Sequence, residues 1–111
     1  MSRPALLEAL ASLAPGPLSV TVSVITVGTS AVQLIGNDPE RLCLLLANSG
    51  SDAVAVSPDA GVTITGGVIL PVNAPPLALN PVDHFILPGV AWYAISGTAG
   101  AVVTVISVRR I

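Results

Sequence analysis

From Leu18 onward, apolar residues alternate with small polar residues, and this alternation restricts the possible folds more than any other feature of the chain. The apolar set is Leu18, Val20, Val22 and Val24, and the polar set between them is Ser19, Thr21 and Ser23. A period of two places each set on its own side of a β-strand. The pattern therefore predicts a half-buried strand with an apolar face and a hydroxyl face.

Further short apolar segments follow this strand, each bounded by turn residues such as Gly, Pro, Asn and Asp. The predicted strands cover residues 29–35, 41–48, 53–57, 68–72, 90–96 and 101–108. Such short strands, with turns about every 8 to 12 residues, are typical of sandwiches and jelly rolls. We therefore expect a mainly β fold, an antiparallel β-sandwich or jelly roll of seven to eight short strands with a short N-terminal helix.

Two segments of the β region have a special composition. The unbroken apolar run within residues 41–48 predicts a strand buried on both faces, in the middle of the sandwich. The stretch that follows residue 70 contains four prolines, and proline cannot donate to a central ladder. Any strand there is expected to be short or to lie at an edge. Phe85 and Ile86 are predicted to lead into a core strand before Pro88.

The N-terminus differs from the rest and predicts one short helix over residues 4–14. Ser2 can cap it, Pro4 suits its first turn, and Pro15-Gly16-Pro17 ends it. Its leucines recur at helical spacing and are Leu6, Leu7, Leu10 and Leu13. A helix this short needs a surface to dock on, either its own domain or a neighbour. We divide the chain into an N-terminal helical arm, residues 1–17, and a β-sandwich domain, residues 18–111.

Charge is scarce in this chain. Only 9% of the residues are charged, none is lysine, 52% are hydrophobic and the mean hydropathy is +0.86. Typical soluble domains contain about 25% charged residues. Either neighbours cover much of the surface, or the surface is neutral and rich in small residues. We favour the first alternative, because large exposed apolar areas usually mark interfaces.

The same composition excludes several classes of partner. A net charge of −2 and few aromatic residues argue against nucleic acid, which needs clustered Lys or Arg and stacking side chains. The apolar runs are too short and too often interrupted to predict a membrane span. Arg3 before an apolar stretch imitates a secretory signal, but Glu8 interrupts that stretch, and we expect no cleaved signal.

Groups capable of chemistry are few and scattered. His84 follows Asp83, but adjacent strand residues point to opposite faces, so we expect a loop histidine held by a hydrogen bond. Cys43 lies in the most apolar segment, where a thiol behaves as a small hydrophobe. The aspartates have no calcium-ligand spacing, and Gly66-Gly67 and Gly97–Gly100 read as turn glycines with positive φ. We predict no enzymatic activity, no metal and no cofactor.

Trp92 and Tyr93 are the only large amphipathic pair. If exposed, one of them could anchor an interface or stack on a sugar ring. The expectation that we favour is that one fills the core and the other faces outward.

Three later segments carry a resemblance to a known class of proteins. They read RLCLLLANSGSDAVAVSP from Arg41, then GGVILPVNAPPLALN, then GVAWYAISGTAGAVVTVISV. This part of the chain, roughly residues 40–108, resembles small β-sandwich virion proteins of tailed bacteriophages. The matching positions are Arg41, Asn48, Gly50, Gly89, Tyr93, Ala94, Ile95 and Val102–Val108. The N-terminal helix and residues 18–35 are not part of the resemblance.

The resemblance implies a structural role on a virus particle, on the phage head surface, after synthesis in the host cytoplasm. A capsid decoration or cement protein is the expected role, with the major capsid protein and further copies of the chain, as a dimer or trimer, as partners. The candidate interface residues are Leu6, Leu7, Leu10, Leu70, Val72, Leu77, Leu79 and Trp92. A tail, baseplate or head-fibre component is the first alternative. A carbohydrate-binding β-sandwich module that uses Trp92 or Tyr93 is an alternative of another class.

Overall fold

A computed structural model describes residues 17–84 and 86–110, and eight strands account for most of this part of the chain. They are β1 (Leu18–Val27), β2 (Val32–Ile35), β3 (Arg41–Asn48), β4 (Val54–Ser57), β5 (Val68–Leu70), β6 (Leu77–Leu79), β7 (Trp92–Ser96) and β8 (Ala101–Arg110). A four-residue helix α1 (Pro81–His84) and a 3-10 helix (Leu87–Gly89) separate β6 from β7. The predicted helix over residues 4–14 lies outside the described residues.

The strands form two four-stranded antiparallel sheets, in the orders β1-β8-β3-β6 and β2-β7-β4-β5. Four of the pairs are nested: β1 with β8, β2 with β7, β3 with β6, and β4 with β5. This is one long antiparallel ribbon, folded at β4–β5 and rolled into two facing sheets, which is the topology of a jelly roll. The predicted antiparallel β-sandwich or jelly roll is confirmed, and the pairing selects the jelly roll among sandwich topologies.

The core lies between the two sheets and consists mainly of leucine and valine. Its fully buried side chains include Leu44, Leu46, Val54, Val56 and Val103. Trp92 is also buried, and its indole Nε1 donates a hydrogen bond of 2.9 Å to the carbonyl oxygen of Leu87. Tyr93, the next residue on β7, is only partly buried, because adjacent strand residues point to opposite faces. The expectation that one aromatic fills the core and the other faces outward is confirmed.

The segment before β7 differs from its prediction. Ile86 is 76% exposed and precedes the 3-10 helix, so the expected core strand at this point is wrong. Phe85 lies outside the described residues. The backbone instead turns into α1, where the Asn80 side-chain oxygen accepts a hydrogen bond of 2.8 Å from the backbone N–H of Asp83. Asn at the cap and Pro81 at the first helical position together favour a helix start over a strand.

Glycine is required in two turns for different physical reasons. Gly100, in the β7–β8 turn, has a φ of +87°, as expected for a turn glycine. Gly66, Gly67 and Gly97 do not have a positive φ, so for them that expectation is wrong. A Cβ at Gly67 would instead lie 2.6 Å from the Val56 carbonyl oxygen and 3.0 Å from a Val62 methyl carbon. The close approach of the backbone to β4 therefore requires glycine at position 67.

We predict that Gly67→Ala lowers the free energy of unfolding by about 1–3 kcal/mol, because the added methyl forces the packed backbone apart. Gly97→Ala is the matched control, since a Cβ there meets nothing within 4 Å. That control should change stability by less than about 1 kcal/mol, with stabilisation the expected sign. Urea unfolding of both variants measures the difference. Equal stabilities would show that the β4–β5 loop moves aside at little cost.

Candidate interaction surface

Strand β1 turns its apolar face outward. Leu18, Val20, Val22 and Val24 are 45–66% exposed. The hydroxyl residues between them lie on the same side of the strand as Val27, which is fully buried. The usual arrangement of a two-layer sandwich, apolar inside and polar outside, is therefore reversed over the first seven residues of β1.

The strand register extends this apolar face across the whole sheet. One row across the four strands is Val22, Ile106, Leu45 and Ala78. The flanking rows are Val20, Val108 and Cys43 on one side, and Val24, Thr104 and Ala47 on the other. We call these ten residues the outer patch. Because Cys43, Leu45 and Ala47 on this face of β3 are only partly buried, the prediction that β3 is buried on both faces is wrong. A shallow depression of about 250 Å³ lies over β3, β6 and β8, between Cys43, Leu45, Ala78 and Ile106.

The outer patch contains one polar side chain and no charge. That side chain belongs to Thr104, whose hydroxyl oxygen Oγ1 lies 2.9 Å from Ser49 Oγ in a side-chain hydrogen bond. The nearest charge in the register is Arg110, which pairs with Leu18 at the margin of the patch. A neutral, apolar sheet face of this kind is suited to contact with another apolar surface.

Charged residues gather instead at one end of the sandwich, around the β2–β3 turn. Arg109 Nε donates to Asp38 Oδ2 at 2.6 Å, and Arg110 lies 3.6 Å from Glu40. The hydrogen bond from Arg109 holds the pKa of Asp38 below its usual range, and the same bond raises the pKa of Arg109. These contacts join the end of β8 to the turn before β3.

Arg41 belongs to the same end but is buried. Its guanidinium donates to the carbonyl oxygens of Gly36 at 2.6 Å, Pro88 at 3.1 Å and Val90 at 3.3 Å. Burial lowers the pKa of Arg41, and the charge of Asp38 partly offsets this. Arg41 therefore acts as a structural tie between the β2–β3 turn and the segment that leads into β7.

The ion pair of Asp38 predicts a contribution to acid stability. Because the folded pKa of Asp38 lies below its unfolded value of about 3.9, its stabilisation is present above about pH 4 and is lost as the pH falls through the folded pKa. The effect should be below about 1 kcal/mol, since the Arg109 and Asp38 side chains are 42% and 23% exposed. Asp38→Asn should therefore have a lower free energy of unfolding than wild type at pH 7. Below pH 4, its free energy of unfolding should fall less steeply with pH than that of wild type. Urea titrations between pH 7 and pH 2.5 test this, and identical slopes would contradict it.

The structure corrects part of the predicted interface. Leu70, Leu79 and Trp92 are only 3–5% exposed and belong to the core. Leu77 is partly buried and packs against that core, while Val72 is 39% exposed. Leu6, Leu7 and Leu10 lie outside the described residues. The outward residues of β1 and β8 were missed, because alternation groups the valines of β1 on one face without showing that this face points outward.

Within residues 17–84 and 86–110, Cys43 and His84 lie in separate local environments. Cys43 lies in the outer patch, where partial burial raises its pKa and disfavours the thiolate. His84 accepts a hydrogen bond at Nδ1 from the backbone N–H of Asn80, 3.1 Å away, so a local turn accounts for the histidine. In the part of the chain that the structure describes, no three His, Cys, Asp or Glu side chains come together as metal ligands would.

Comparisons with protein-family models, with curated protein sequences and with solved structures found no match for this chain. Among residues 17–84 and 86–110, no helix has the length and hydropathy needed to span a bilayer.

Proposed function

We propose that this chain is a structural protein of a bacteriophage particle, and specifically a capsid decoration protein that binds the head shell as an oligomer. The outer patch carries the proposal, because a surface of valine, isoleucine and leucine needs a partner surface. The resemblance of residues 40–108 to phage virion proteins supports the same role. Jelly rolls recur in viral capsid domains, but also in lectins and cupins, so the fold alone does not select it.

The proposed mechanism is mechanical. Val20, Val22 and Val24 are each more than 60% exposed, and covering each one would contribute about 1 kcal/mol. One such contact is weak, but an oligomer makes several at once, and linked contacts multiply in affinity. A decoration protein stabilises a shell in this way by bridging subunits that would otherwise separate.

The alternatives differ in how they fit the structure. A tail, baseplate or head-fibre component would use the same fold and the same apolar patch. In the carbohydrate-binding alternative, Trp92 cannot stack on a sugar ring, because its side chain is buried in the core. Tyr93 remains, in one row of the second sheet with Gln33 and Ser57. Glycan-array binding that disappears in Tyr93→Ala would favour that alternative.

Quantitative mass spectrometry of purified virus particles tests the proposal. A copy number comparable to that of the major shell protein is the expected result and supports decoration. A handful of copies per particle would instead favour a location in the tail or the fibre. Absence from particles would overturn the virion role.

A further inference from the structure

Strand β1 is the edge of its sheet. In the part of the chain that the structure describes, it is the first strand of the order β1-β8-β3-β6 and pairs with β8 alone. Every second residue of such a strand directs its backbone N–H and C=O groups away from the sheet. Within residues 17–84 and 86–110, no strand pairs with these groups. An edge of this kind is a template for pairing with a further strand.

The other three sheet edges in the described part of the chain are protected against such pairing. Strands β5 and β6 have three residues each, and β2 has four, with a break in register between Gln33 and Ile35. Short edges, bulges, prolines and charged side chains are the usual protection of an edge strand. Strand β1 has none of these, because its ten residues pair with β8 in unbroken register and include neither proline nor a charged residue.

The edge of β1 is complementary to a second copy of itself. In a symmetric antiparallel pair, the residue on the two-fold axis lies opposite its own copy. With Val22 on the axis, residues 18–26 pair, and with Ser23 on the axis, residues 19–27 pair. Either register forms about eight to ten backbone hydrogen bonds, as many as a typical protein interface. Both registers keep the outward residues of the two strands on one face.

The charges at the end of β8 favour the antiparallel direction. Arg109 and Arg110 lie beside Ser19 and Leu18, at the start of β1. A parallel pair of β1 strands would place these positive ends side by side, and like charges on neighbouring strands are destabilising. An antiparallel pair instead places each positive end beside the uncharged end of the other copy.

The side of the sandwich along β1 is large enough for a stable contact. Only residues 28–31 separate β1 from β2, the edge of the second sheet, so both edges lie on the same side. The paired part of β1 is about 31 Å long, and the two sheet layers together are about 20 Å thick. Two such sides therefore bury roughly 1,200 Å² in total, which reaches the range of specific interfaces.

We propose that two copies of this chain associate by antiparallel pairing of β1 with β1, which joins their four-stranded sheets into one sheet of eight strands. This inference rests on the oligomer of the proposed function and specifies its contact. The two outer patches then form one continuous, uncharged apolar surface. A shell that covers both patches at once gains the affinity of two linked contacts.

A scan with single cysteines locates the axis of this pair. Each variant of the full chain carries Cys43→Ser, so that the new thiol is the only one. The scanned positions are Val20, Thr21, Val22, Ser23 and Val24. The Cβ atoms of a residue on the axis lie about 5 Å apart. One position away from the axis, the two copies of a residue are about 8 Å apart, which is too far for a disulfide.

After mild oxidation, we expect a disulfide-linked dimer on denaturing gels for either Val22→Cys or Ser23→Cys. It should be at least tenfold more abundant than the dimer of every other variant in the scan. Equal linkage at all positions would indicate a parallel pair, and linkage at Val20, Val22 and Val24 alike would indicate contact through the face of the sheet. Each of these results would overturn the proposal, and so would no linkage in variants that keep the buried Trp92 fluorescence.

A charge at the edge tests the same contact without a cysteine. Thr21 is exposed in the middle of β1, and Thr21→Lys should weaken association at least tenfold in sedimentation equilibrium, because lysine protects edge strands from pairing. Thr104→Lys is the matched control, since it adds the same charge on the neighbouring strand β8, and it should leave the dimer intact. The reverse result would place the contact on the face of the sheet and overturn the pairing.

Neither assay contains virus particles, so the two proposals fail separately. Absence of the protein from particles would overturn the decoration role and leave the paired β1 strands intact. A chain that decorates particles but shows no linkage at the edge would overturn the pairing alone.

Discussion

Val22→Glu should weaken self-association of the full chain by at least 100-fold while the β-sandwich stays folded. Val22 lies in the central row of the outer patch, and its side chain is 61% exposed. In an assembled state, a glutamate there would be covered without a partner for its charge, which costs several kcal/mol. A 100-fold change in affinity corresponds to about 2.7 kcal/mol, well within that penalty. Sedimentation equilibrium of wild type and variant measures it.

The matched control for this substitution is Ile69→Glu. Ile69 is 46% exposed and lies on β5, the edge strand of the second sheet, so the charge, size and position in the sheet are comparable. We expect it to leave association unchanged. Both variants should unfold within about 1 kcal/mol of wild type, because surface substitutions rarely cost more. Loss of association in Ile69→Glu alone would place the interface on the second sheet. A wild-type chain that stays monomeric at high concentration would contradict self-assembly.

The sequence predicted most strands because their signals are local. Strand β3 spans the predicted residues 41–48, and the turn at Gly97–Gly100 separates β7 from β8 as expected. Strand β6 is short and lies at the edge of its sheet, as the surrounding prolines indicated. In each case neighbouring residues were sufficient, since alternation and turn chemistry need no information from distant parts of the chain.

The orientation of β1 could not be predicted in the same way. Alternation shows which residues share a face, but it does not show which face meets the other sheet. That choice depends on the pairing of β1 with β8, about 80 residues later in the chain. Helix α1 was also not predicted, but for a different reason. Asn80 followed by Pro81 is a local capping pattern, so the sequence contained the signal for this helix.

Arg41 is a further feature that the sequence did not reveal, and it leads to the second large expected effect. Arg41→Met should lower the free energy of unfolding by about 3 kcal/mol, because three carbonyl oxygens at a buried position lose a charged donor. Two of them, on Pro88 and Val90, are nearly 50 residues away in the chain. No local pattern could connect them to Arg41. For a domain of this size, the loss corresponds to a fall in Tm of about 10–20 °C.

The single Trp92 is buried, and its fluorescence therefore reports global unfolding of each variant. Arg109→Met is the control, because that arginine is 42% exposed and pairs with a partly exposed Asp38, so it should cost much less stability than Arg41→Met. Arg41→Lys separates charge from geometry. A lysine keeps the positive charge but cannot hold three carbonyls in a planar fork, so its stability should fall between wild type and Arg41→Met. If Arg41→Met costs no more than Arg109→Met, water replaces the guanidinium, and the tie between the β2–β3 turn and β7 contributes little to the fold.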